Sequence, residues 1–380
     1  MICVTGANGF LGARVVARLQ DGGHDVCGLV RRLPGYPPEV GRLASPRRSI
    51  DRRWGRRLSG TQVGGDLQIR FEGMSEPCAG LDGRSRRAIS DGPAGQPERS
   101  APERRVCKSS PSHPPSGSAP AGGPPASWRL VDYADRRSVE RAMPSGAVIL
   151  HVAGQTNGTE SALQEANVET TRVLLSVAHE KGAQRFVFVS SAAAHLARGP
   201  YGRSKRAAED LVRQSGLPHV IFRPTLIYGP GDSKNVAMMA RVIRRCPIVP
   251  VLGGGGFRIQ PVHVDDVVSA LEQAVTKPAA SGVYTLAGPE QITLAEMLHL
   301  IAARLGVRRL FVPVPLAPVQ AAVRVIAALA PWTRLPVKQI LDLDHHSAFD
   351  ISAAQRDFDF HPISFRKGLL DPERSPVCAA

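Results

Sequence analysis

The stretch Val4–Val16, VTGANGFLGARVV, decides the fold of this chain. It continues the apolar run MICV, which predicts a strand, and it leads into ARVVARLQDGG, whose apolar residues have helical spacing. Gly6, Gly9 and Gly12 therefore lie at the turn between a strand and a helix, where bare backbone amides and the positive helix end can hold a pyrophosphate. Glycines also simply permit tight turns, so it is the strand before them and the helix after them that favour nucleotide binding.

Strand and helix patterns alternate beyond this turn. Continuous apolar runs such as AVILHVAG are typical of strands in the middle of a parallel sheet. The other predicted elements are strands HDVCGLV, WRLVDY, RFVFVSS and HVIFRPTLIYG, and helices EANVETTRVLLSVAHEKG and SKRAAEDLVRQSG. This alternation predicts an α/β fold, a doubly wound parallel sheet (Rossmann fold) with a smaller C-terminal lobe.

The predicted domain boundaries follow from changes in composition and hydrophobic periodicity along the chain. Residues 1–34 and 128–230 form the NAD(P)-binding domain, residues 231–370 a mixed substrate-binding lobe with C-terminal helices, and residues 371–380 a tail. Residues 35–127 are rich in Pro and Arg and show little periodicity. They are either a basic arm for an anionic partner, or disordered filler or an out-of-frame translation of a GC-rich gene; the last two are favoured, since a loop this long is poor evidence for a compact domain.

The charge of the chain is unevenly distributed. The formal net charge is +15 and the isoelectric point is about 10.2. From Arg31 to Ser127, 17 Lys and Arg face 9 Asp and Glu, so a net +8 lies in about a quarter of the chain. Few aromatic residues are interleaved with these arginines and no nucleic-acid motif accompanies them, so a nucleic-acid partner is not expected.

The cysteines and the apolar segments indicate the cellular compartment in which the protein is expected. The 6 cysteines lie far apart without C-x-x-C or Cys/His spacing, so neither a metal site nor a disulfide scaffold is expected. The opening MICVTGANG lacks the pattern of a signal peptide. The apolar segment PVQAAVRVIAALAPW is too short to span a bilayer and contains Arg324. We therefore expect a cytoplasmic protein without a membrane span.

The end of the second strand bears on the choice of cofactor. An acidic residue there would hold the ribose hydroxyls of NAD, whereas an arginine accommodates the additional phosphate of NADP. The strand ends in Leu29-Val30-Arg31-Arg32. Arg31, with Arg32 second to it, is therefore the candidate phosphate ligand; the alternative is a solvated basic turn.

Tyr201 and Lys205 are the candidate catalytic pair. They lie four residues apart and therefore share a helix face. A neighbouring ammonium favours the phenolate, so we expect Lys205 to lower the pKa of Tyr201 from its usual value of about 10 and also to hydrogen-bond the ribose. Ser191 follows a predicted strand, where its hydroxyl could polarise the reacting oxygen. Alone, such a Tyr/Lys pair would be an exposed surface pair.

The order of these motifs resembles a known family. Thr5–Gly12, then HVAG, a strand-end serine, Tyr201 with Lys205, and FRPTLIYGPG occur in the same order in the extended short-chain dehydrogenase/reductase family, the NAD-dependent nucleotide-sugar epimerases and dehydratases. The resemblance implies that Ser191, Tyr201 and Lys205 are catalytic. The expected cofactor-binding residues are Thr5, Gly6, Asn8, Gly9, Phe10, Leu11, Gly12, Arg31, Arg32, His151, Val152, Ala153, Gly154, Asn167, Ser190, Tyr201, Lys205, Arg223 and Pro224.

The same resemblance implies an activity. It is that of an NAD(P)-dependent epimerase/dehydratase or reductase, which transfers hydride at a hydroxyl or keto carbon of a small-molecule substrate, a nucleotide sugar, with Tyr201 as the acid/base. The cofactor is NADP or NAD, with NADP favoured by Arg31. A homodimer is usual in the family.

One departure from the family pattern favours an alternative. Only nine residues separate Ser191 from Tyr201, where the nucleotide-sugar epimerases have a longer substrate-contacting loop. Short loops are typical of atypical members, including the accessory NADPH-binding subunit of respiratory complex I. The alternative function is therefore a non-catalytic NADPH-binding subunit that stabilises a larger assembly.

Overall fold

The computed structural model of the protein describes most of the chain in several segments. They are residues 1–31, 60–63, 66–69, 127–277, 281–315, 317–319, 321 and 348–377. Arg32, most of residues 35–127 and most of the segment PVQAAVRVIAALAPW lie outside the described residues, as do the predictions made for them.

Six of the seven strands of the main sheet are those that the sequence pattern predicts, and the seventh, Gly282–Leu286, lies in the segment that was predicted to belong to the C-terminal lobe. The seven are β1 (Ile2–Thr5), β2 (Val26–Val30), β5 (Ser127–Leu130), β6 (Val148–His151), β7 (Arg185–Val189), β8 (His219–Pro224) and β13 (Gly282–Leu286). The shorter sheets contain β3 (Gly60–Val63), β4 (Asp66–Ile69), β9 (Ile227–Tyr228), β10 (Ile248–Leu252), β11 (Arg258–Ile259), β12 (Val262–His263), β14 (Ile292–Thr293) and β15 (Leu310–Val314).

The main sheet is fully parallel and doubly wound. Its seven strands lie in the order β13-β8-β7-β6-β1-β2-β5. The chain moves outward from β1 through β2 to β5, and then returns to the other side of β1 to build β6 onward. The predicted fold is therefore confirmed. The strand order reverses between β1 and β6, and ligands of such sheets bind beyond the carboxyl ends of the strands at this point.

Helices cover both faces of the sheet and also build the C-terminal lobe. In the described part of the chain they are α1 (Phe10–Asp21), α2 (Arg136–Ala142), α3 (Glu160–Gln164), α4 (Thr170–Glu180), α5 (Ala193–Leu196), α6 (Gly199–Gln214), α7 (Val236–Arg245), α8 (Val264–Thr276), α9 (Leu294–Arg304), α10 (Ser352–Phe358) and α11 (Phe365–Leu370). One helical layer packs on the face that carries Ile2 and Val4, and the other on the face that carries Cys3, as the two-residue period of a strand requires.

One helix begins earlier than its apolar pattern predicts. The sequence predicts a start at Glu165, but α3 begins at Glu160, where the Thr159 side chain accepts the Ala162 amide at 3.2 Å. A π-helical turn, Glu165–Glu169, then joins α3 to α4. The cap lies in a polar stretch that carries no apolar period, so the pattern could not reveal it.

Part of the chain after β8 has a hydrophobic core of its own, whereas α8, β13 and α10 of the same segment pack into the core of the main sheet. The separate core is built from α7, α9 and α11 with the parallel strand pair β10 and β15, and its members include Tyr228, Ile243, Val251, Ile301 and Phe365. This core is the smaller C-terminal lobe of the predicted fold. Among the described residues, no helix combines the length and the apolar character needed to cross a membrane.

A separate unit, Gly55–Ala119, contains the hairpin strands β3 and β4, which pair antiparallel with Gly60 opposite Ile69.

Candidate active site

The glycines of the turn after β1 are required by close backbone contacts. Gly6 has φ +66°, and a Cβ atom there would lie 2.8 Å from the Cα atom of Ala153. A Cβ atom on Gly12 would lie 2.2 Å from the carbonyl oxygen of Gly6. Only glycine fits both positions, because the turn folds back onto its own helix and presses against the end of β6.

The same turn presents backbone amides at the start of α1. The first intrahelical hydrogen bond runs from the Ala13 amide to the Gly9 carbonyl at 2.9 Å, and Gly9 provides no side-chain cap. The amides of Phe10, Leu11 and Gly12 precede this bond, so they and the positive helix end can bind an anion beyond the strand. The Leu11 side chain is buried in the core, whereas Asn8 and Gly9 are exposed. These positions fit a pyrophosphate held by backbone.

Replacing Gly12 by Ala should weaken nucleotide binding about 5- to 160-fold. The added methyl group collides with the Gly6 carbonyl and must displace the turn, a strain of about 1–3 kcal/mol. Titration of the protein with NADPH, followed by nucleotide fluorescence, measures the loss. Gly256→Ala is the matched control, since a Cβ atom there meets nothing within 4 Å. Equal dissociation constants for both variants would contradict this account of the turn.

Tyr133 fixes the turn from a distant part of the chain. Its hydroxyl accepts the Gly6 amide at 3.2 Å and donates to the Leu29 carbonyl at 3.0 Å. Burial raises the pKa of this phenol, so it stays protonated and can donate. The guanidinium carbon of the exposed Arg31 lies 5.4 Å from the ring centroid. Tyr133 thus supports both the glycine turn and the candidate phosphate ligand, although no sequence motif indicated it.

A buried chain of hydrogen bonds lies under the turn. Thr5 Oγ1 is 2.7 Å from His151 Nδ1 and accepts the Ala153 amide at 3.2 Å. The other ring nitrogen of His151 is 3.1 Å from Thr171 Oγ1, which donates to the Asn167 carbonyl at 2.6 Å. Burial, aided by the nearby Lys205 ammonium, lowers the pKa of His151 to about 3. His151 is therefore neutral and fixes β6 relative to β1 and α4.

Asn167 links the loop after β6 to α6. Its side chain accepts the Gln155 amide at 2.8 Å and donates to the Gln155 carbonyl at 2.9 Å. It also donates to Ser204 Oγ at 3.0 Å. Ser204 lies on α6 between Tyr201 and Lys205. Asn167 is 1% exposed, so it positions the predicted catalytic helix against the segment His151–Gly154.

Lys205 lies where the strand ends and this loop meet. Its Nζ atom donates to the Val189 carbonyl at 3.0 Å and lies 4.8 Å from the ring centroid of Phe188. A Cβ atom on Gly154 would lie 3.1 Å from Nζ. Burial lowers the pKa of Lys205 to about 8, and the charge of Glu209 opposes this shift. The amine is therefore close to its titration range at neutral pH.

The pKa of the Tyr201 phenol shifts in the direction opposite to the one expected from the sequence. Burial raises its pKa, and a hydrogen bond with the Ser191 side chain opposes the rise. The predicted lowering of its pKa by Lys205 is wrong for this structure, because burial raises the pKa of the phenol, and the Lys205 ammonium is bonded to the Val189 carbonyl. The structure does bring Ser191 and Tyr201 together, with Ser191 just beyond the end of β7 as predicted.

Ser190 and Arg223, both predicted to contact the cofactor, bond the carboxylate of Glu209, a residue that no sequence motif indicated. Arg223 makes a bidentate pair with the buried Glu209, with Nε–Oε1 at 2.8 Å and Nη2–Oε2 at 2.6 Å. Ser190 Oγ donates to Glu209 Oε1 at 2.6 Å, and Arg213 donates to Oε2 at 2.8 Å. Burial alone raises the pKa of Glu209, but the hydrogen bonds from Arg223, Ser190 and Arg213 outweigh it and hold the pKa below its usual value.

This cluster aligns the ends of the strands with α6. Glu209 and Arg213 lie on α6, Arg223 on β8 and Ser190 after β7. Pro224 adds to the alignment, since its carbonyl accepts the Ala192 amide at 2.9 Å. The side chains of Ser190 and Arg223 therefore bond Glu209 on α6, the helix that carries Tyr201.

The chain is similar to several known proteins. The model of the NAD dependent epimerase/dehydratase family matches residues 2–53 and 103–287. A ceramide reductase from Caulobacter vibrioides is 34% identical over 142 residues, 37% of this chain and 44% of that protein. The mitochondrial NADH dehydrogenase (ubiquinone) 1 alpha subcomplex subunit 9 of Arabidopsis thaliana is 28% identical over 224 residues, 57% of this chain and 56% of that protein. The chain thus spans about half the length of these curated relatives.

A solved structure supports the fold. The UDP-glucose 4-epimerase of Thermus thermophilus, in complex with NAD, superposes with a TM-score of 0.58 and 20% identity, over 97% of this chain and 96% of that chain. The family match covers well over half of the chain, including the glycine turn, β6 and α6. On this evidence the chain belongs to the NAD dependent epimerase/dehydratase family.

Proposed function

We propose that the protein binds NAD(P) across the carboxyl ends of β1 and β6 and transfers hydride at a hydroxyl or keto carbon. The observation that carries this proposal is the series of close contacts from the glycine turn to α6. Gly6 packs on Ala153, and the next residue, Gly154, approaches the Lys205 ammonium. Tyr201 lies one turn before Lys205 and hydrogen-bonds Ser191. A dinucleotide that runs from the turn toward α6 would therefore reach the phenol.

The residues present fit a dinucleotide. The α1 amides would hold its pyrophosphate. Gly6 and Gly12 have no side chains, so only backbone would lie beside the pyrophosphate. Lys205 would hold its ribose. When bound, the nicotinamide supplies or accepts the hydride. Tyr201, protonated at neutral pH, would donate its phenolic proton to the substrate oxygen in reduction, and the phenolate that remains would take a proton from water. In oxidation this phenolate would accept the hydroxyl proton of the substrate. Ser191 would donate a hydrogen bond to the same oxygen as charge develops on it. Lys205, with a pKa of about 8, would contact the ribose rather than the phenol.

Arg31 favours NADP over NAD in this proposal. It follows β2, where an acidic residue would hold the ribose hydroxyls of NAD, and its guanidinium is supported by the Tyr133 ring. An exposed arginine there provides a fork of donors for the additional phosphate. We infer that NADP(H) binds more tightly than NAD(H).

A nucleotide sugar is the substrate class that the motifs favour. A ceramide-type lipid is the second candidate substrate, because a ceramide reductase of Caulobacter vibrioides is among the similar proteins. In both substrates the reacting group is a secondary alcohol or its ketone. The chemistry proposed for Tyr201 is the same for either one.

The second candidate function is a non-catalytic NADPH-binding subunit of a larger assembly. Similarity to the complex I subunit of Arabidopsis thaliana favours it. In this case the nucleotide would have a structural role and would not turn over. Tyr201, Lys205 and Ser191 would then be retained without a substrate.

The test has two steps. The nucleotide that copurifies with the protein is identified, and the dissociation constants of NADPH and NADH are measured for the native chain and for Arg31→Ala. We expect NADPH to bind more tightly, and Arg31→Ala to remove this preference by roughly a 10- to 100-fold loss of NADPH affinity. Nucleotide sugars and long-chain ketones are then screened for a change in nicotinamide absorbance. Tight NADPH without any responsive substrate would favour the subunit, and no nucleotide affinity would overturn both proposals.

A further inference from the structure

The loop that follows β9 lies against the start of α1. We call residues 229–232 the Pro230 loop. A Cβ atom on the exposed Gly231 would lie 3.7 Å from Cδ2 of Phe10, the first residue of α1. The amide of Phe10 is one of those that would hold the pyrophosphate. The Pro230 loop therefore borders the crevice where the pyrophosphate would bind.

Arg14 joins this loop to two helices. Its Nη2 atom donates to the Pro230 carbonyl at 3.0 Å, and its Nη1 atom donates to Asp265 Oδ1 on α8 at 2.8 Å. The guanidinium presents its donors in a fixed planar fork, so one side chain holds both acceptors at once. Phe10 and Arg14 are four residues apart and share one face of α1. The beginning of α1 thus contacts the Pro230 loop twice.

The two ends of the Pro230 loop are also fixed. Gly229 packs on the start of α8, where a Cβ atom on it would lie 2.5 Å from Val264 Cγ1. At the other end, the Asp232 carboxylate accepts the amides of Lys234 at 2.9 Å and Asn235 at 3.0 Å, just before α7. Arg14 therefore bonds the middle of a loop whose ends are attached elsewhere.

We propose that Arg14 is a positioning residue, which holds the Pro230 loop beside the pyrophosphate and so slows the release of NAD(P). This inference rests on the proposed nucleotide site, and it applies to an enzyme and to a non-catalytic subunit alike. A loop that borders a bound ligand limits how fast the ligand leaves, so the attachment of the loop affects the dissociation rate. Both arms of the Arg14 fork already have acceptors, so Arg14 acts through the loop and not as a phosphate ligand.

Arg18 provides the matched comparison. It lies one turn further along α1, and its Nε atom donates to Glu272 on α8 at 2.9 Å. Both arginines thus join α1 to α8 by an ion pair, but Arg14 also bonds the Pro230 carbonyl. If Arg14 only fastened the two helices together, replacing either arginine would have the same consequence.

The dissociation rate of NADPH from the full chain tests the proposal. Bound NADPH is displaced by excess NADP⁺ in a stopped-flow instrument and followed by nucleotide fluorescence. We expect Arg14→Gln to raise the rate about 5- to 20-fold, because the loop loses a hydrogen bond from a charged donor. Arg18→Gln should stay within about twofold of the native rate. The thermal midpoints without nucleotide should be alike for the two variants, since each loses one partly exposed ion pair.

A shorter ligand shows whether the effect is local. Adenosine 2′,5′-bisphosphate keeps the adenosine half of NADPH, which would lie toward Arg31 and β2, and it lacks the second phosphate and the nicotinamide. We expect Arg14→Gln to bind this ligand as tightly as the native chain does. Equal weakening of both ligands would mean that the glycine turn itself is distorted, and it would overturn the proposal.

Arg14→Lys separates the fork from the charge. The ammonium keeps the positive charge and can pair with Asp265, but it lacks the second arm that reaches the Pro230 carbonyl. We therefore expect Arg14→Lys to release NADPH nearly as fast as Arg14→Gln. A native rate for Arg14→Lys, or equal rates for Arg14→Gln and Arg18→Gln, would overturn the proposal. If the native chain binds no NADPH, the proposed function itself fails, and this inference fails with it.

Discussion

Replacing Tyr201 by Phe will lower the turnover number for the responsive substrate by about 10²- to 10⁴-fold and leave the dissociation constant of NADPH unchanged. The substitution removes only the phenolic oxygen, which hydrogen-bonds Ser191 and would exchange the proton with the substrate. The ring remains to fill the same space, and Lys205 keeps its bond to the Val189 carbonyl. Steady-state kinetics and nucleotide titration of the same preparation measure the two quantities separately.

Tyr284→Phe is the control for this prediction. Its hydroxyl donates to Asp357 at 2.7 Å, and it lies on the edge strand β13, far across the sheet from β1 and the glycine turn. Loss of this bond should therefore affect stability alone. Turnover by Tyr201→Phe at the native rate would refute the role of the phenol. A loss of turnover accompanied by an equal loss of NADPH affinity would instead mean that Tyr201 holds the nucleotide.

Glu209→Gln should lower the free energy of unfolding by about 3–5 kcal/mol, because it leaves the buried Arg223 guanidinium without its counter-charge. Arg223 is 9% exposed and Glu209 is fully buried, so water cannot replace the lost carboxylate. The neutral amide also cannot accept from Arg223, Ser190 and Arg213 together, as the carboxylate does. Urea or thermal unfolding measures the difference.

The pH dependence of this effect has a defined sign. The folded pKa of Glu209 lies below its unfolded value of about 4.3–4.5, so the carboxylate stabilises the fold above that value. The stabilisation is lost as the pH falls through the folded pKa, and the native chain and Glu209→Gln should converge in acid. Glu180→Gln, which removes the surface partner of Arg136, should cost about 0–1 kcal/mol. Similar losses for the two variants would contradict the buried-pair account.

Local patterns were sufficient to predict the fold and the main site elements. The glycine spacing after an apolar strand predicted the turn before α1, and alternating apolar runs predicted β6, β7 and β8 with their helices. Ser191 was predicted beyond a strand end, and Tyr201 with Lys205 on one helix, from spacing alone. Each of these inferences depends on residues that are close in the sequence.

The residues that the prediction missed act across long separations. Tyr133 contacts Gly6 across 127 positions of sequence, and Glu209 binds Ser190, just after β7, and Arg223 on β8. A tyrosine in a polar stretch and a glutamate in an amphipathic helix look like ordinary surface residues until the chain folds. The pKa of Tyr201 was mispredicted for the same reason, because burial and the Val189 carbonyl near Lys205 are tertiary features.

Because the Tyr133 hydroxyl bonds both Gly6 and Leu29, the first thirty or so residues do not by themselves hold the glycine turn in its binding conformation. The left-handed conformation of Gly6 is supported by the Leu29 carbonyl within this segment and, from elsewhere in the chain, by the Tyr133 phenol and the Ala153 backbone. A glycine motif transplanted into another scaffold would therefore keep its sequence but lose its backbone conformation. A graft would need to carry both flanking supports with it.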